Sequence, residues 1–298
     1  MSAILQINNI RKSYGSVVAL NDVSLSVPEG AVYGLLGPNG SGKTTLLGIL
    51  MSVLLPQSGK YRWFEDRYGD AYRKHIGCLL ETPNFYQYLN GEENLRISVS
   101  ISGRGNENDI ERVLKLVGLY ERRKHRFATY SLGMKQRLAI GAALLGDPEV
   151  LVLDEPTNGL DPVGIAEIRD LIRKLNQAGR TIVIASHLLD EVEKVCTHVA
   201  ILKRGNLLAD GSVSDVLMDE DILEMNASDS DQLRSFLHQM EIETVVDKEN
   251  NLICARFPKG QARPDELNRI CMENGIRLSH LLLRKKKLET RFFELTND

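Results

Sequence analysis

The sequence is short of three things. Cysteine is scarce: four in 298 residues, at Cys78, Cys196, Cys254 and Cys271, with no C-x-x-C pair. That argues against a disulfide framework or a cysteine zinc site, and it fits a reducing, cytosolic setting. Long apolar runs are missing, since no stretch reaches the roughly 18 consecutive apolar residues of a membrane-spanning helix. The opening MSAILQINNIRKSYG has no basic start followed by an apolar segment, so no secretory leader is expected there. Net positive charge is missing as well. Lys plus Arg number 37 against 40 Asp plus Glu, a formal charge of −3, whereas a general nucleic-acid binder carries a basic surface. The sequence shows no internal repeat and no low-complexity tract.

What is there is a globular composition. Apolar residues make up 43% and charged residues 26%, which excludes intrinsic disorder. At roughly 150 residues per domain, the length suggests two domains. Apolar β-rich runs at residues 5–10, 17–20, 23–27 and 31–36 read as strands, the last one buried and apolar apart from Gly34. Residues 44–53 read as a helix, and 61–64 and 76–80 as further strands. From Gly91 to Gly146 the texture is helical. Ile110, Val113, Leu114 and Val117 follow the 3-4-7 spacing of a buried helix face, and 132–145 is another helix. Strand and helix then alternate at 150–153, 164–178, 181–185, 188–196 and 199–202, which implies a mainly parallel sheet covered on both faces. Beyond residue 218 the order becomes β-α-β-β-α-β, with strands at 222–226, 242–246, 252–257 and 276–283 and helices at 230–240 and 264–274. That order matches a small ferredoxin-like unit, and a last helix at 288–295 closes the chain.

Gly37-Pro38-Asn39-Gly40-Ser41-Gly42-Lys43-Thr44 fits G-x-x-x-x-G-K-[ST], between a buried strand and a helix. The glycines let backbone N–H groups turn inward around phosphates, and the helix points its positive dipole end at them. Lys43 supplies a point charge for β- and γ-phosphates. Thr44 brings a hydroxyl for Mg²⁺, and Thr45 belongs to the same helix start. Further on, Val150-Leu151-Val152-Leu153-Asp154-Glu155 is an apolar strand ending in two acids, which need a partner for their charge. Asp154 is placed to hold Mg²⁺ and Glu155 to take a proton from an attacking water, which suffices for phosphoryl transfer to water. A second anion site is suggested by Ser131 before a helix that starts at Leu132 and Gly133.

Taken in order, these motifs resemble the nucleotide-binding subunit of an ATP-binding-cassette (ABC) transporter over about residues 4–215. Tyr130-Ser131-Leu132-Gly133-Met134 looks like the LSGGQ signature, Asn158-Gly159-Leu160-Asp161 like the D-loop, and Ser186-His187-Leu188 like the switch histidine. Tyr14 stands where the family stacks an aromatic on adenine. The resemblance implies an α/β P-loop NTPase core with an antiparallel β subdomain and an α-helical subdomain at about 84–146. This cassette ends near residue 217, and the C-terminal α+β (ferredoxin-like) domain follows at 218–298. It implies ATP and Mg²⁺ as ligands. It also implies a second copy of the chain pairing head to tail, so that Ser131, Gly133 and Asp161 of one copy meet nucleotide held by the other. His187 would contact the γ-phosphate and orient the water.

Two departures bear on the site. The signature has Leu132 for the first Gly and Met134 for Gln. Glu81 replaces the usual Gln metal ligand, which can strengthen the metal contact or repel the nucleotide. The Glu81-Thr82-Pro83 loop, the signature and the closing Leu288-Glu289-Thr290-Arg291-Phe292-Phe293-Glu294-Leu295-Thr296 resemble antibiotic-peptide and multidrug export ATPases. The expected partner is an integral membrane permease on another chain. The protein would then be cytoplasmic and peripheral on the inner face of the membrane, with the aromatic loop from Asn84 to Asn90 as docking surface or as local packing. The alternative is a soluble, non-transport ABC ATPase acting on ribosomes or DNA. Such proteins usually have two cassettes or a long coiled coil, and this sequence has neither. No nucleic-acid partner is expected, and Arg284-Lys285-Lys286-Lys287 reads as a solvated face.

Overall fold

The computed structural model describes residues 2–80, 84–217, 220–247, 252–258, 260–284 and 288–296. It divides into two compact units, Met1–Val213 and Ser214–Asp298. The division falls slightly before the expected boundary at residue 217.

The first unit opens with two long antiparallel strands, β1 (Ala3–Tyr14) and β2 (Val17–Pro28), followed by β3 (Val32–Leu36), helix α1 (Lys43–Leu50), β4 (Ser58–Trp63) and β5 (Ile76–Leu79). The helical stretch holds α2 (Gly91–Ser102), α3 (Glu107–Leu116) and α4 (Leu132–Ala143). Then come β6 (Val150–Asp154), α5 (Pro162–Gln177), β7 (Thr181–Ser186), α6 (Leu189–Val195), β8 (His198–Lys203) and β9 (Asn206–Ser212), and the short α7 (Val213–Leu217) spans the division between the units. A six-stranded sheet runs β5-β6-β7-β3-β8-β9, and a three-stranded antiparallel sheet runs β2-β1-β4. One continuous core joins the two sheets and α1. It contains Ile7, Leu25 and Trp63 from the antiparallel sheet, Leu46 and Leu50 from α1, and Leu35, Val152 and Val183 from the large sheet. Strands β3, β6 and β7 are buried along their whole length, as a parallel sheet covered on both faces requires.

The sequence expectation of separate strands at 17–20 and 23–27 is corrected, because β2 runs through both. Asp22 adopts a left-handed φ of 61° and the β1–β2 register shifts nearby, so the chain bulges without leaving the ladder. Strand β9 had no sequence signal, since Ala209-Asp210-Gly211-Ser212 is poor in β-formers. It forms because Arg204 and Gly205, at φ 47° and 80°, make a tight turn that pairs Lys203 with Asn206.

Arg104 orients the helical stretch. Its guanidinium donates to Ile76 O (2.6 Å), Ala143 O (3.1 Å) and Leu145 O (2.8 Å), tying the end of α4 to the start of β5. The C-terminal end of α4 is thereby held where β5 begins. In the expected docking loop, Phe85 packs edge-on against buried Phe127 at 5.2 Å, while Tyr86 and Tyr88 are exposed.

The second unit contains β10 (Glu220–Ala227), α8 (Ser230–Gln239), β11 (Glu243–Asp247), β12 (Leu252–Pro258), α9 (Pro264–Glu273), β13 (Leu278–Arg284) and α10 (Leu288–Thr296). Its antiparallel sheet has the order β11-β12-β10-β13, the arrangement of a βαββαβ unit. Leu223, Met225, Ile253 and Ala255 of the sheet pack with Leu233 and Leu237 of α8 and Leu267 and Cys271 of α9. Lys285, Lys286 and Lys287 lie outside the described residues. No described helix is long and apolar enough to cross a membrane.

Candidate functional site

Parallel register brings the site together. Leu36 of β3 lies beside Ser186 of β7, and Ala185 lies beside Asp154 of β6. The three strands therefore end at one level. The residues that follow them, Gly37, His187 and Glu155, emerge side by side at the carboxyl edge of the sheet, where open α/β sheets bind ligands.

Residues 37–42 form a loop in which Gly37 and Gly42 leave no room for a side chain. A Cβ on Gly37 would clash with Leu202 O and Ser41 Oγ, and one on Gly42, at φ 107°, would clash with Ala19 O. Pro38, Asn39 and Gly40 are exposed at the tip. Helix α1 starts at Lys43 with no side-chain cap, so the first-turn N–H groups, including those of Thr44 and Thr45, are left for a ligand. Ser41 is 1% exposed, and among the described residues its buried Oγ has no hydrogen-bond partner. A donor left unpaired inside such a loop costs stability that a bound anion would restore.

Lys43 is buried, and its ammonium donates to Gly37 O (2.7 Å) and Pro38 O (3.3 Å). Burial pushes its pKa below the usual lysine value, partly offset by the charges of Glu155 and Asp154. Glu155 Oε1 lies 3.9 Å from Lys43 Nζ. Thr44 Oγ1 donates to Asp154 Oδ2 at 3.0 Å. Glu155 has a left-handed φ of 47°, a conformation that costs about 1 kcal/mol or more. Its N–H still continues the ladder to Ala185 O (2.9 Å), so the ladder holds the strained residue in place. The side chain is delivered to His187, whose Nδ1 is 2.8 Å from Glu155 Oε2. A carboxylate only accepts, so Nδ1 carries the proton and Nε2 is free for another partner.

Thr44 and Asp154 offer a hydroxyl and a carboxylate oxygen, the donor type a hard divalent cation takes. Glu81, expected as a third metal ligand, lies outside the described residues. Among the described residues no group of three or more His, Cys, Asp or Glu side chains is arranged for a metal, so a cation here would draw further ligands from phosphates and water.

The other expected residues lie apart. Ser131 caps α4 by accepting from the Met134 N–H (3.2 Å), with Gly133 in the first turn. Helix α4 packs on β5, three strand spacings from β3, or about 14 Å across the sheet. Asp161 caps α5 by accepting from the Gly164 N–H (2.9 Å). Tyr14 ends β1 and is 48% exposed, so it is not a core residue. Lys12 was not anticipated. Its ammonium donates to Leu55 O (2.9 Å) and lies 5.4 Å from the Tyr14 ring centroid. The available signal was its place two residues before Tyr14, on the same face of the strand.

Comparison with known proteins agrees with this geometry. A family profile described as "ABC transporter" matches residues 20–158. The chain is 35% identical over 301 residues to the bacitracin transport ATP-binding protein BcrA of Enterococcus faecalis, covering 99% of this chain and 97% of that one. It is 38% identical over 205 residues to the lantibiotic transport ATP-binding protein SrtF of Streptococcus pyogenes, covering 69% and 89%. Among solved structures, an ATP-binding cassette of an ABC transporter in its ADP conformation matches with a TM-score of 0.65 and 26% identity, covering 72% of this chain and 93% of that one. A dimeric cassette in a post-hydrolysis state with ADP and Pi matches with a TM-score of 0.62 and 27% identity, covering 70% and 98%. With its phosphate loop, acidic strand end and histidine on one sheet edge and a full-length likeness to such relatives, the chain belongs to the ATP-binding subunits of ABC transporters and is an ABC ATPase.

Proposed function

We propose that this ATPase drives export of an antibiotic-like or drug-like compound through a permease on a separate chain, from the inner face of the cell membrane. The observation that carries the reading is the separation of its anion-binding parts. Lys43, Asp154, Glu155 and His187 share one sheet edge, while Ser131 and Gly133 start α4, a separately capped helix that packs on β5 and not on the strand leading into the phosphate loop. One nucleotide reaches both if two copies pair head to tail. The transport roles printed for the bacitracin and lantibiotic relatives support export, and exposed Tyr86 and Tyr88 suit a permease contact.

In this mechanism Tyr14 stacks on adenine, and the backbone of residues 37–45 cradles the phosphates. The Lys43 ammonium binds the β- and γ-phosphates. Thr44 and Asp154 would hold Mg²⁺, which would supply neutralisation of the phosphate charge. Glu155 accepts the proton of the attacking water. His187 donates Nδ1–H to Glu155, which fixes the carboxylate, and turns Nε2 toward the γ-phosphate. Ser131, Gly133 and Asp161 complete the site on the second copy. The C-terminal unit is an accessory, and none of its described residues takes a catalytic role.

Affinity purification of the chain from detergent-solubilised membranes tests the partner. Recovery of a multi-span membrane protein is expected. Recovery of ribosomes or DNA in its place would overturn export.

A further inference from the structure

The chain departs from the LSGGQ pattern at Leu132, and the structure shows what that side chain touches. Gly159 has a left-handed φ of 74°, and a Cβ built there would lie 3.2 Å from Leu132 Cδ2. One residue on, a Cβ on Gly133 would lie 4.0 Å from Leu160 Cδ2 and from Gly164 Cα. The two leucines therefore cross, each seated on a glycine of the other's segment. Both segments are separately capped helix starts, α4 by Ser131 and α5 by Asp161. Farther along, Arg137 Nη1 pairs with Glu167 Oε2 at 3.3 Å, joining the same two helices again. Leu132 is 48% exposed, so this contact is not core packing that folding requires. With glycine at position 132, the crossing would lose one of its two leucines, leaving Leu160 and Gly164 beside Gly133.

We propose that Leu132 is a positioning residue that yokes the signature turn to the 158–161 loop, so that Ser131, Gly133 and Asp161 reach the partner's nucleotide as one piece. The proposal rests on the reading of the chain as a nucleotide-sandwich ATPase. Misplacing a reacting group by about 1 Å can cost on the order of 10²-fold in rate, so loosening one of these two tips against the other has a measurable kinetic cost. The phosphate loop lies on other elements, and its own hold on ATP does not depend on the yoke.

The test compares full-length Leu132→Gly and Leu132→Met with the parent chain, measuring kcat, KM, binding of a fluorescent ATP analogue and Tm. Leu132→Gly should lower kcat about tenfold or more, with unchanged analogue affinity and unchanged Tm. Leu132→Met fills the same gap and should restore turnover. Parent-like kcat and KM in Leu132→Gly would overturn the proposal alone. So would equal impairment of the Met variant, or a fall in Tm that tracks the loss of rate. A parent chain that binds ATP but never hydrolyses it would overturn the sandwich reading and the proposal with it.

Discussion

Replacing Glu155 by Gln isolates the chemistry from the architecture. Gln keeps the length of the side chain and retains an oxygen for the His187 Nδ1 proton, now 2.8 Å from Glu155 Oε2. The ladder bond to Ala185 O and the left-handed backbone at residue 155 do not depend on the carboxylate. What is lost is proton-accepting capacity and one negative charge, 3.9 Å from Lys43. A positioned general base contributes roughly 10²–10⁴-fold, or about 3–5 kcal/mol of barrier at 1.36 kcal/mol per decade. Phosphate release at saturating ATP and Mg²⁺ should fall by that factor. ATP binding should persist or tighten, because a negative charge has been removed from beside the phosphates. The bound nucleotide should then hold two copies together, visible as an ATP-dependent dimer on size-exclusion chromatography. Adding His187→Ala to this variant should cost little more, since residues that act as a unit are strongly non-additive. Phosphate release within about threefold of the parent rate, well inside the range expected for losing a base, would refute the assignment of Glu155.

Lys43→Ala should abolish nucleotide binding in an equilibrium titration, because it removes a buried cation that reaches the carbonyls of the loop; unchanged affinity would count against the cradle. A second prediction concerns Asp210, whose carboxylate accepts from the buried Tyr33 hydroxyl. Asp210 is exposed as a residue, but desolvation of its carboxyl beside buried Tyr33 still pushes the pKa above its ordinary value, while Tyr33, His198 and the N–H groups of Gly211 and Ser26 pull it partly back. A folded pKa above the unfolded one favours the protonated form. That stability is fully present below the unfolded pKa, near 3.9, and is lost as pH rises through the folded value. Asp210→Asn keeps an acceptor for Tyr33 and never ionises. Its Tm should exceed the parent's at pH 8, with the gap closing as the pH falls through the acid range. A Tm deficit that is largest at pH 8 would refute this.

Much of the architecture was legible because it is locally written. The phosphate loop, the acidic strand end and the capped helix start at Ser131 each occupy a few consecutive residues with one chemical purpose. The alternation of apolar runs placed the strands and helices within a few residues. The misses have non-local causes. Strand β9 depends on a turn at Arg204 and Gly205 and on β8 as its partner, and the long β2 depends on β1 holding it across the bulge at Asp22. The contact of Leu132 with Gly159 joins segments far apart in the chain, so no short window could reveal it.

The amino-acid sequence by itself determined the chemical inventory: a lysine and hydroxyls after a glycine-rich loop, two acids at a strand end, a histidine after another strand. Tertiary structure alone decided that these meet. Leu36, Ser186 and Asp154 end at one level because backbone hydrogen bonds set the register of β3, β7 and β6. Those bonds form between main-chain groups that every residue carries, so their pairing is chosen by the packing of the whole sheet and not by the side chains at the site.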